Sequence, residues 1–331
     1  MIDNITKLRE TELELLEAFI KVCMEHHLQW FAMFGTLLGA MRYEGFLPWD
    51  DDIDVVMPLA DYQTLCTHKE WFDDRFFLQT PFDEGLPCIA KLRKNGTTAF
   101  GWSLLECLKR GGHHGIPLDI IPLAEIPGTD CYHTPTLLNE SKNSISYPKF
   151  WFLPGATMKF EHLNVTVPAM PRKILSAVYG DWGWPTGAEV CRPCFWFFDV
   201  ERGYEAYFKR YTGMLEEISN KKIYLFGAAD SLRIWLERFG LREQVVCTFD
   251  NDRRKWGNTF FGVEVRSPQE LPGLIDSNSR IIITSLWHQE IGRQLEKLGI
   301  DEYYVFLDYH YTYDKDGNVI FREEQDGIKK V

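Results

Sequence analysis

The stretch GFLPWDDDIDVVMP, residues 45–58, places four aspartates in five positions between a Pro-Trp turn and an apolar run. Carboxylates this close together repel one another, and burying them is costly unless a cation pairs with them. The apolar run predicts a strand, so the cluster stands where a strand begins. Either the aspartates lie in a solvated turn, or they hold a metal ion.

Strand geometry decides which of these aspartates can act together. Side chains alternate between the two faces of a strand, so Asp50, Asp52 and Asp54 share one face if the strand has begun by Asp50. Asp52 and Asp54 then suit a hard cation such as Mg²⁺, which binds a few carboxylates together with phosphate oxygens of a substrate. The chain's path into the strand can turn the Asp50 side chain away from this face. Asp51 is expected to be a solvated turn residue.

Two further motifs favour the metal interpretation. MFGTLLGAMR, residues 33–42, predicts a strand, a glycine turn and a helix start, where Gly35 and Thr36 would present backbone N–H groups to an anion. GIPLDIIPL, residues 115–123, puts Asp119 in an otherwise apolar strand, where an unpaired carboxylate is costly. A role as a third metal ligand, or as a base beside the metal, would explain Asp119.

The order of predicted elements indicates two α/β domains. Residues 1–219 mix helices and strands without clean alternation, whereas the segment from 220 onward alternates strand and helix. Such alternation predicts a parallel sheet with crossover helices. We therefore expect one domain over residues 1–219 and a second over residues 220–331.

Charge and hydropathy exclude several classes of protein. The net charge of −12 argues against a nucleic-acid surface, which needs clustered Lys and Arg. No run approaches the apolar length of a membrane-spanning helix, so we expect no integral membrane segment. The charged N-terminus lacks the apolar core of a signal peptide, and eight scattered cysteines fit reduced thiols. A cytoplasmic enzyme is the expectation.

Three motifs together resemble the LicD family of phosphotransferases, whose distant members include fukutin and fukutin-related protein. They are FGTLLGAMRYEGFLPWDDDIDVVMPLADY, GIPLDIIPL and YGDWGWP, and the resemblance covers roughly residues 25–185. It implies a nucleotidyltransferase-like fold for the N-terminal domain. It also implies metal-dependent transfer of phosphocholine or a polyol phosphate to a sugar hydroxyl of a cell-surface glycan, such as lipopolysaccharide or teichoic acid. The implied donors are CDP-choline, CDP-glycerol or CDP-ribitol, and CMP is released.

The resemblance assigns roles to the residues that the pattern had already singled out. Gly35 and Thr36 match the family's glycine-hydroxyl turn, Asp52 and Asp54 its metal-binding pair, and Asp119 its third carboxylate. The three aspartates are therefore the expected catalytic residues and the ligands of one or two Mg²⁺ (or Mn²⁺) ions. Asp119 is also the candidate base for the attacking hydroxyl.

Basic residues near these motifs are candidate substrate contacts. Arg42, Lys91 and Arg93 could bind donor phosphates, although the same pattern fits surface charges that flank a strand. Lys91 and Arg93 alternate onto one face of the strand IAKLRK. His114, in RGGHHGIPLD, is expected to help position the substrate, while the glycines around it fit a mobile loop equally well.

The second domain carries a weakened nucleotide-binding motif. In LFGAADSL, Gly227 is present, but Ala229 and Leu232 stand where a dinucleotide fingerprint has its other two glycines. Asp250 follows the next predicted strand, as a ribose-binding acid would. We expect a Rossmann-like domain that acts chiefly as a scaffold, for oligomerisation or to present an acceptor.

The sequence leaves other functions open. Direct nucleotide transfer to a sugar or a small molecule is the alternative within enzymes. The missing glycines weigh against a nicotinamide oxidoreductase, and the three clustered carboxylates weigh against a non-catalytic glycan-binding protein. Cys191 and Cys194 form a single Cys-x-x-C, which is a weak zinc signal, so buried thiols are the simpler interpretation.

Overall fold

The computed structural model describes most of the chain. The described residues are 4–83, 89–101, 107–108, 110–135, 145–182, 197–285, 287–306, 312–313, 319–320 and 328–330. Contacts divide the chain into two compact units, whose larger parts are residues 1–102 with 109–204 (unit 1) and residues 205–313 (unit 2). The proposed domain boundary near residue 219 stays a prediction.

Unit 1 is a mixed α/β unit, as the sequence predicts. Its helices are α1 (Asn4–Glu25), α2 (Phe34–Tyr43), α3 (Leu59–Cys66) and α4 (Pro171–Tyr179). Its strands are β1 (Phe31–Ala32), β2 (Asp54–Pro58), β3 (Phe76–Gln79), β4 (Ala90–Lys94), β5 (Thr98–Phe100), β6 (Pro117–Glu125), β7 (Cys131–His133), β8 (Tyr147–Pro148), β9 (Ala156–Phe160), β10 (Leu163–Val167) and β11 (Phe197–Asp199).

The central sheet of unit 1 has the strand order β1-β2-β6-β4-β3, with β7 added beside β6 and β8 beside β7. Strand β2 runs parallel to β6, and the other neighbouring pairs are antiparallel. Two smaller antiparallel pairs, β9 with β10 and β5 with β11, complete the unit. The two strands that carry the predicted aspartates are therefore direct neighbours.

Helix α1 covers part of this sheet through one apolar stripe. Leu8, Leu15, Leu16 and Phe19 recur at helical spacing and are fully buried in the core of unit 1. The helix packs against β4 and β6. Although α1 has 22 residues, no helix in the described part of the chain is long and apolar enough to cross a membrane.

The loop before β2 differs from the predicted strand entry. Strand β2 begins at Asp54, and residues 51–53 have no strand structure, so face alternation does not extend back to Asp50. Asp51, expected to be solvated, is fully buried, and that prediction was wrong. Arg9 of α1 contacts this loop. Its guanidinium donates hydrogen bonds to the carbonyl oxygens of Leu47 and Asp50, both at 2.8 Å.

Unit 2 contains the predicted parallel sheet. Its helices are α5 (Tyr204–Ile218), α6 (Asp230–Phe239) and α7 (His288–Lys297). The remaining strands of the chain are β12 (Lys222–Phe226), β13 (Val245–Phe249), β14 (Thr259–Phe260), β15 (Val263–Arg266), β16 (Ser279–Ile283), β17 (Tyr304–Phe306), β18 (Thr312–Tyr313), β19 (Val319–Ile320) and β20 (Ile328–Lys330).

The sheet of unit 2 has the order β14-β15-β13-β12-β16-β17-β20, and the strands from β15 to β17 along this order are parallel. Both of its faces are covered. Ile223 and Leu225 of β12 pack in one core with Trp235 of α6, whereas Tyr224 and Phe226 lie in the core on the other side, with α7. Burial on both faces is typical of parallel sheets and explains their near-continuous apolar strands.

Candidate functional site

The register of the central sheet brings two of the predicted aspartates together. Asp54, the first residue of β2, is the Cα partner of Asp119 on the parallel strand β6. Lys91 on β4 is the partner of Asp119 on its other side. Since partners in register point to the same face of a sheet, the three strands place two carboxylates and an ammonium group in one row.

Lys91 and Asp119 form an ion pair within this row. The Lys91 Nζ lies 2.5 and 2.6 Å from the two carboxylate oxygens of Asp119, and about a fifth of each side chain is exposed, 20% and 21%. Asp119, which an apolar strand would otherwise leave unpaired, therefore has a cationic partner. Lys91, predicted to contact a phosphate, lies beside a predicted catalytic carboxylate.

The predicted glycine-hydroxyl turn forms the first turn of α2 and contacts the acidic loop. The Thr36 hydroxyl oxygen accepts a hydrogen bond from the backbone N–H of Asp54 at 2.9 Å, and Thr36 is buried. At Gly35 an added Cβ would collide with the carboxylate of Asp50. Both residues of the turn therefore touch aspartates of the motif, Thr36 through Asp54 and Gly35 through Asp50.

The tightest acidic group differs from the predicted trio. Asp50, Asp51 and Asp52 each offer a carboxylate oxygen, and these oxygens lie within 4.8 Å of one another. Within the described residues, Asp52, Asp54 and Asp119 are not gathered that closely. Asp52 belongs to both sets, so it links the acidic loop to the row on the sheet.

The electrostatics of the site favour binding of a cation. Burial raises the pKa of Asp50 to about 8, and the charges of Asp52 and Asp51 add to this effect. Desolvation raises the pKa of Asp54 well above its ordinary value; Asp52 and Asp119 raise it further, and Lys91 opposes them. A divalent cation would replace protons on such carboxylates, and an all-oxygen donor set is the kind that Mg²⁺ and Mn²⁺ accept.

Two predicted substrate contacts are engaged elsewhere in the unit. Arg93 is buried, and its guanidinium donates to the side-chain oxygen of Gln79 at 2.5 Å and to the carbonyl oxygen of Gly115 at 2.7 Å. His114 is also buried, and its Nε2 lies 3.0 Å from the carbonyl oxygen of Gly111. These contacts hold the sheet and its loops together and do not involve the aspartates.

Arg42 connects α2 to the YGDWGWP motif. Its guanidinium donates to the backbone carbonyl of Trp182. The Trp182 indole N–H donates to the Ser176 hydroxyl at 3.2 Å, and the guanidinium of Arg172 lies 5.7 Å from the centroid of the indole ring. The rest of the motif, together with Cys191 and Cys194, lies outside the described residues.

Two residues of α1 belong to the site but were missed by the sequence analysis. Arg9 anchors the acidic loop, and Glu12 is fully buried close to the cluster. Burial raises the pKa of Glu12 well above its ordinary value, and the charges of the neighbouring aspartates raise it further. The sequence contains a signal for the burial of Glu12, because this residue falls at helical spacing between Leu8 and Leu16 within the apolar stripe of α1.

The acid of the weakened nucleotide motif in unit 2 is bound by the protein itself. One carboxylate oxygen of Asp250 accepts from the backbone N–H of Ala228 at 2.9 Å and from Lys255 Nζ at 2.8 Å. The N–H that follows Gly227 is thus satisfied internally.

Comparison with protein-family models gives a match in the N-terminal half of the chain. Residues 27–170 match the family model described as "LicD/FKTN/FKRP, nucleotidyltransferase domain". Over 70 residues, 20% of this chain, the sequence is 40% identical to the lipopolysaccharide cholinephosphotransferase LicD of Haemophilus influenzae. The match spans about a quarter of that relative, 26% of its length.

Similar solved structures include RSP, a Rex-family repressor, in complex with β-NADH and in complex with β-NAD⁺ and operator DNA. The identities are 17% and 15%, with 46% and 44% of this chain and 68% and 65% of those chains covered. The TM-score is 0.24 in both cases, and at that value the likeness carries no argument.

Proposed function

Because residues 27–170 of this chain belong to the LicD family, we propose that the protein transfers a substituted phosphate from a CDP-linked donor to a sugar hydroxyl of a cell-surface glycan. Phosphocholine is the first candidate for the transferred group, since the curated relative is a cholinephosphotransferase. Glycerol phosphate and ribitol phosphate are the other candidates. CMP is the leaving group.

The observation that supports this function most strongly is the pairing of Asp54 with Asp119 on adjacent strands, with Asp52 two residues before β2. Phosphoryl transfer depends mainly on positioning the reactants and neutralising charge. The sheet holds Asp54 and Asp119, and the loop before β2 holds Asp52, so these carboxylates have fixed positions from which they can orient the reactants. We assign Asp52, Asp54 and Asp119 as the catalytic residues.

The same three residues would hold Mg²⁺ or Mn²⁺. Bound there, the ion would neutralise the pyrophosphate of the donor and favour in-line attack at the phosphorus that carries choline. The raised pKa of Asp54 supports this assignment, because a carboxylate surrounded by other carboxylates gains most from a cation. Thr36 keeps the backbone of Asp54 in place through its hydrogen bond.

Side chains of the protein would then accept the proton of the attacking hydroxyl and face the donor phosphates. The attacking sugar hydroxyl forms a new P–O bond, the bond between that phosphorus and CMP breaks, and Asp119 takes the hydroxyl proton. Lys91 orients the Asp119 carboxylate and lies in the row that would face the donor phosphates. Arg42, Arg93 and His114 stay predicted substrate contacts.

The finer fold assignments are also part of the proposal. We assign unit 1 to the nucleotidyltransferase-like fold on the basis of the matched family model. We assign unit 2 to the Rossmann-like class because its five parallel strands, numbered along the chain, have the order 3-2-1-4-5. A cytoplasmic location stays an expectation, consistent with a nucleotide-activated donor.

A donor screen tests the proposed function. The purified protein is incubated with Mg²⁺, a glycan acceptor and CDP-choline, CDP-glycerol or CDP-ribitol in turn, and CMP release is measured. We expect acceptor-dependent CMP release with one of the three, with CDP-choline first. Absence of CMP with all three donors, together with nucleotidylated acceptor and pyrophosphate when CTP is supplied, would establish direct nucleotide transfer instead.

A further inference from the structure

The turn of the β9–β10 hairpin contains a residue with an unusual backbone conformation. Phe160 and Leu163 are Cα partners, so Glu161 and His162 form a two-residue turn between the strands. Glu161 has a φ of 53°, in the left-handed region that such turns normally give to glycine or asparagine. A glutamate held there against its steric preference points to a role that glycine could not fill.

Glu161 binds the loop that joins α2 to β2, residues 44–53, which contains the acidic cluster. Its backbone N–H donates to the carbonyl oxygen of Glu44 at 2.6 Å. Its carboxylate accepts a hydrogen bond from the backbone N–H of Phe46 at 3.1 Å. The hairpin turn therefore holds the beginning of this loop through both the backbone and the side chain of one residue.

The glycine at position 45 leaves the space that the Glu161 side chain occupies. A Cβ added to Gly45 would collide with the Glu161 carboxylate. Any larger residue at this position would therefore push the carboxylate away from the N–H of Phe46. The loop and the hairpin turn thus fit each other at the one place where a carboxylate reaches the loop backbone.

Further contacts support the loop between this point and the aspartates. The Phe46 ring packs edge to face against Phe160 of β9, with the ring centroids 5.0 Å apart, and the guanidinium of Arg9 lies 5.1 Å from the centroid of Phe46. Arg9 also donates to the carbonyl oxygen of Asp50. The loop is therefore held by the hairpin at its beginning and by α1 at Asp50, two residues before Asp52.

We propose that Glu161 is a positioning residue for the transfer reaction. By fixing residues 44–46, it sets the path of the loop that presents Asp52 beside Asp54. The inference rests on the proposed function, in which Asp52 is catalytic, and Glu161 acts through the backbone of the loop. A displacement of about 1 Å in a catalytic group can lower a rate roughly 10²-fold, so losing this contact should affect turnover more than stability.

Two substitutions separate positioning from structural support. Glu161→Gly removes the carboxylate, and glycine accepts a left-handed φ without strain, so the hairpin should keep its stability. Glu161→Gln keeps a side-chain oxygen that can accept from the N–H of Phe46. His162→Ala, at the exposed neighbouring position of the turn, is the matched control.

Hydrogen–deuterium exchange in peptides covering residues 44–53 and 156–167, melting temperature, and kcat and KM for the donor are measured for each variant. In Glu161→Gly we expect faster exchange over 44–53 only, an unchanged melting temperature and a kcat lower by roughly tenfold or more. Glu161→Gln and His162→Ala should behave as the wild type does. If Glu161→Gly does not fold, Glu161→Asn replaces it, because asparagine tolerates a left-handed φ and its shorter side chain withdraws from Phe46.

Wild-type exchange over 44–53 and wild-type kcat in Glu161→Gly would overturn the proposal. A lower kcat that appears only with a lower melting temperature and faster exchange over 156–167 would also overturn it, because Glu161 would then be a structural residue of the hairpin. The exchange measurement needs no donor. Absence of CMP release from the wild type would therefore refute the proposed function, while exchange over 44–53 still decides whether Glu161 holds the loop.

Discussion

Asp54 and Asp119 are Cα partners on two adjacent parallel strands, so the pairing of β2 with β6 itself assembles the candidate active site. Asp54 is the first residue of β2, directly after the acidic loop, and Asp119 forms an ion pair with Lys91. The pairing places like charges side by side, which strands normally avoid unless a cation compensates.

Replacing Asp54 by asparagine should abolish turnover and leave the fold intact. The amide has the shape of the carboxylate but lacks its charge, so a metal ligand is lost without a cavity. Circular dichroism should be unchanged, and Asp74→Asn, at an exposed position, should retain full activity. Turnover of Asp54→Asn within tenfold of wild type would rule out Asp54 as a metal ligand.

Asp119→Asn should lower turnover by roughly 10²- to 10⁴-fold, the usual contribution of a general base. Titration of Mn²⁺ and donor against the same variant then separates two roles. Preserved affinities identify Asp119 as the base, and a loss of metal affinity as large as in Asp52→Asn identifies it as a ligand. Full affinity with full rate would reduce the catalytic trio to a pair.

Thr36 should contribute to stability through a single hydrogen bond. Thr36→Val keeps the shape but leaves the backbone N–H of Asp54 without its acceptor, which should cost about 1–3 kcal/mol of unfolding free energy. Thr36→Ser retains the hydroxyl and should lose less. The comparison is made by urea denaturation, and equal stabilities for the two variants would show that the bond is not formed in solution.

The metal-free protein should lose stability as the pH rises from about 5 to 8. Folding raises the pKa of Asp50 from 3.8 to about 8, and those of Asp54 and Glu12 also rise. In this window the folded state binds protons that the unfolded chain has released, so Asp50 removes up to about 1.4 kcal/mol of unfolding free energy per pH unit, and Asp54 and Glu12 act in the same direction.

Thermal unfolding in EDTA across this range measures the effect. The slope should flatten when Mn²⁺ is added, because a bound cation keeps the carboxylates ionised, and it should also flatten in Asp50→Asn. A stability that rises with pH in EDTA, with no change in Asp50→Asn, would contradict the protonation states inferred for the cluster.

The sequence predicted those strands and helices whose residue types follow a regular pattern along the chain. The apolar strands β2, β4 and β6 and the parallel sheet of unit 2 were identifiable because their residue types repeat along the chain. That Asp119 needs a partner was predicted from chemistry, since an isolated carboxylate in an apolar strand is costly, and the family resemblance placed it with Asp52 and Asp54. The structure pairs it in register with Asp54.

Two features could not be predicted from local pattern. Alternation of strand faces was extended into residues 50–53, where the chain is a loop, so the burial of Asp51 was missed. The roles of Arg9 and Glu12 depend on the packing of α1 against that loop, a contact between segments about forty positions apart. The pairing of Lys91 with Asp119 likewise follows from sheet register, which neither strand reveals separately.

A radioactive label on the phosphorus atom that bears choline shows directly whether that phosphorus is the one transferred. CDP-choline labelled with ³²P at that phosphate is incubated with the protein, Mg²⁺ and a glycan acceptor, and the products are separated. We expect the label to enter the acceptor in step with the appearance of unlabelled CMP, and we expect the Asp54→Asn variant to produce neither labelled acceptor nor CMP. Label recovered only as phosphocholine, with the cytidine phosphate attached to the acceptor, would contradict this expectation.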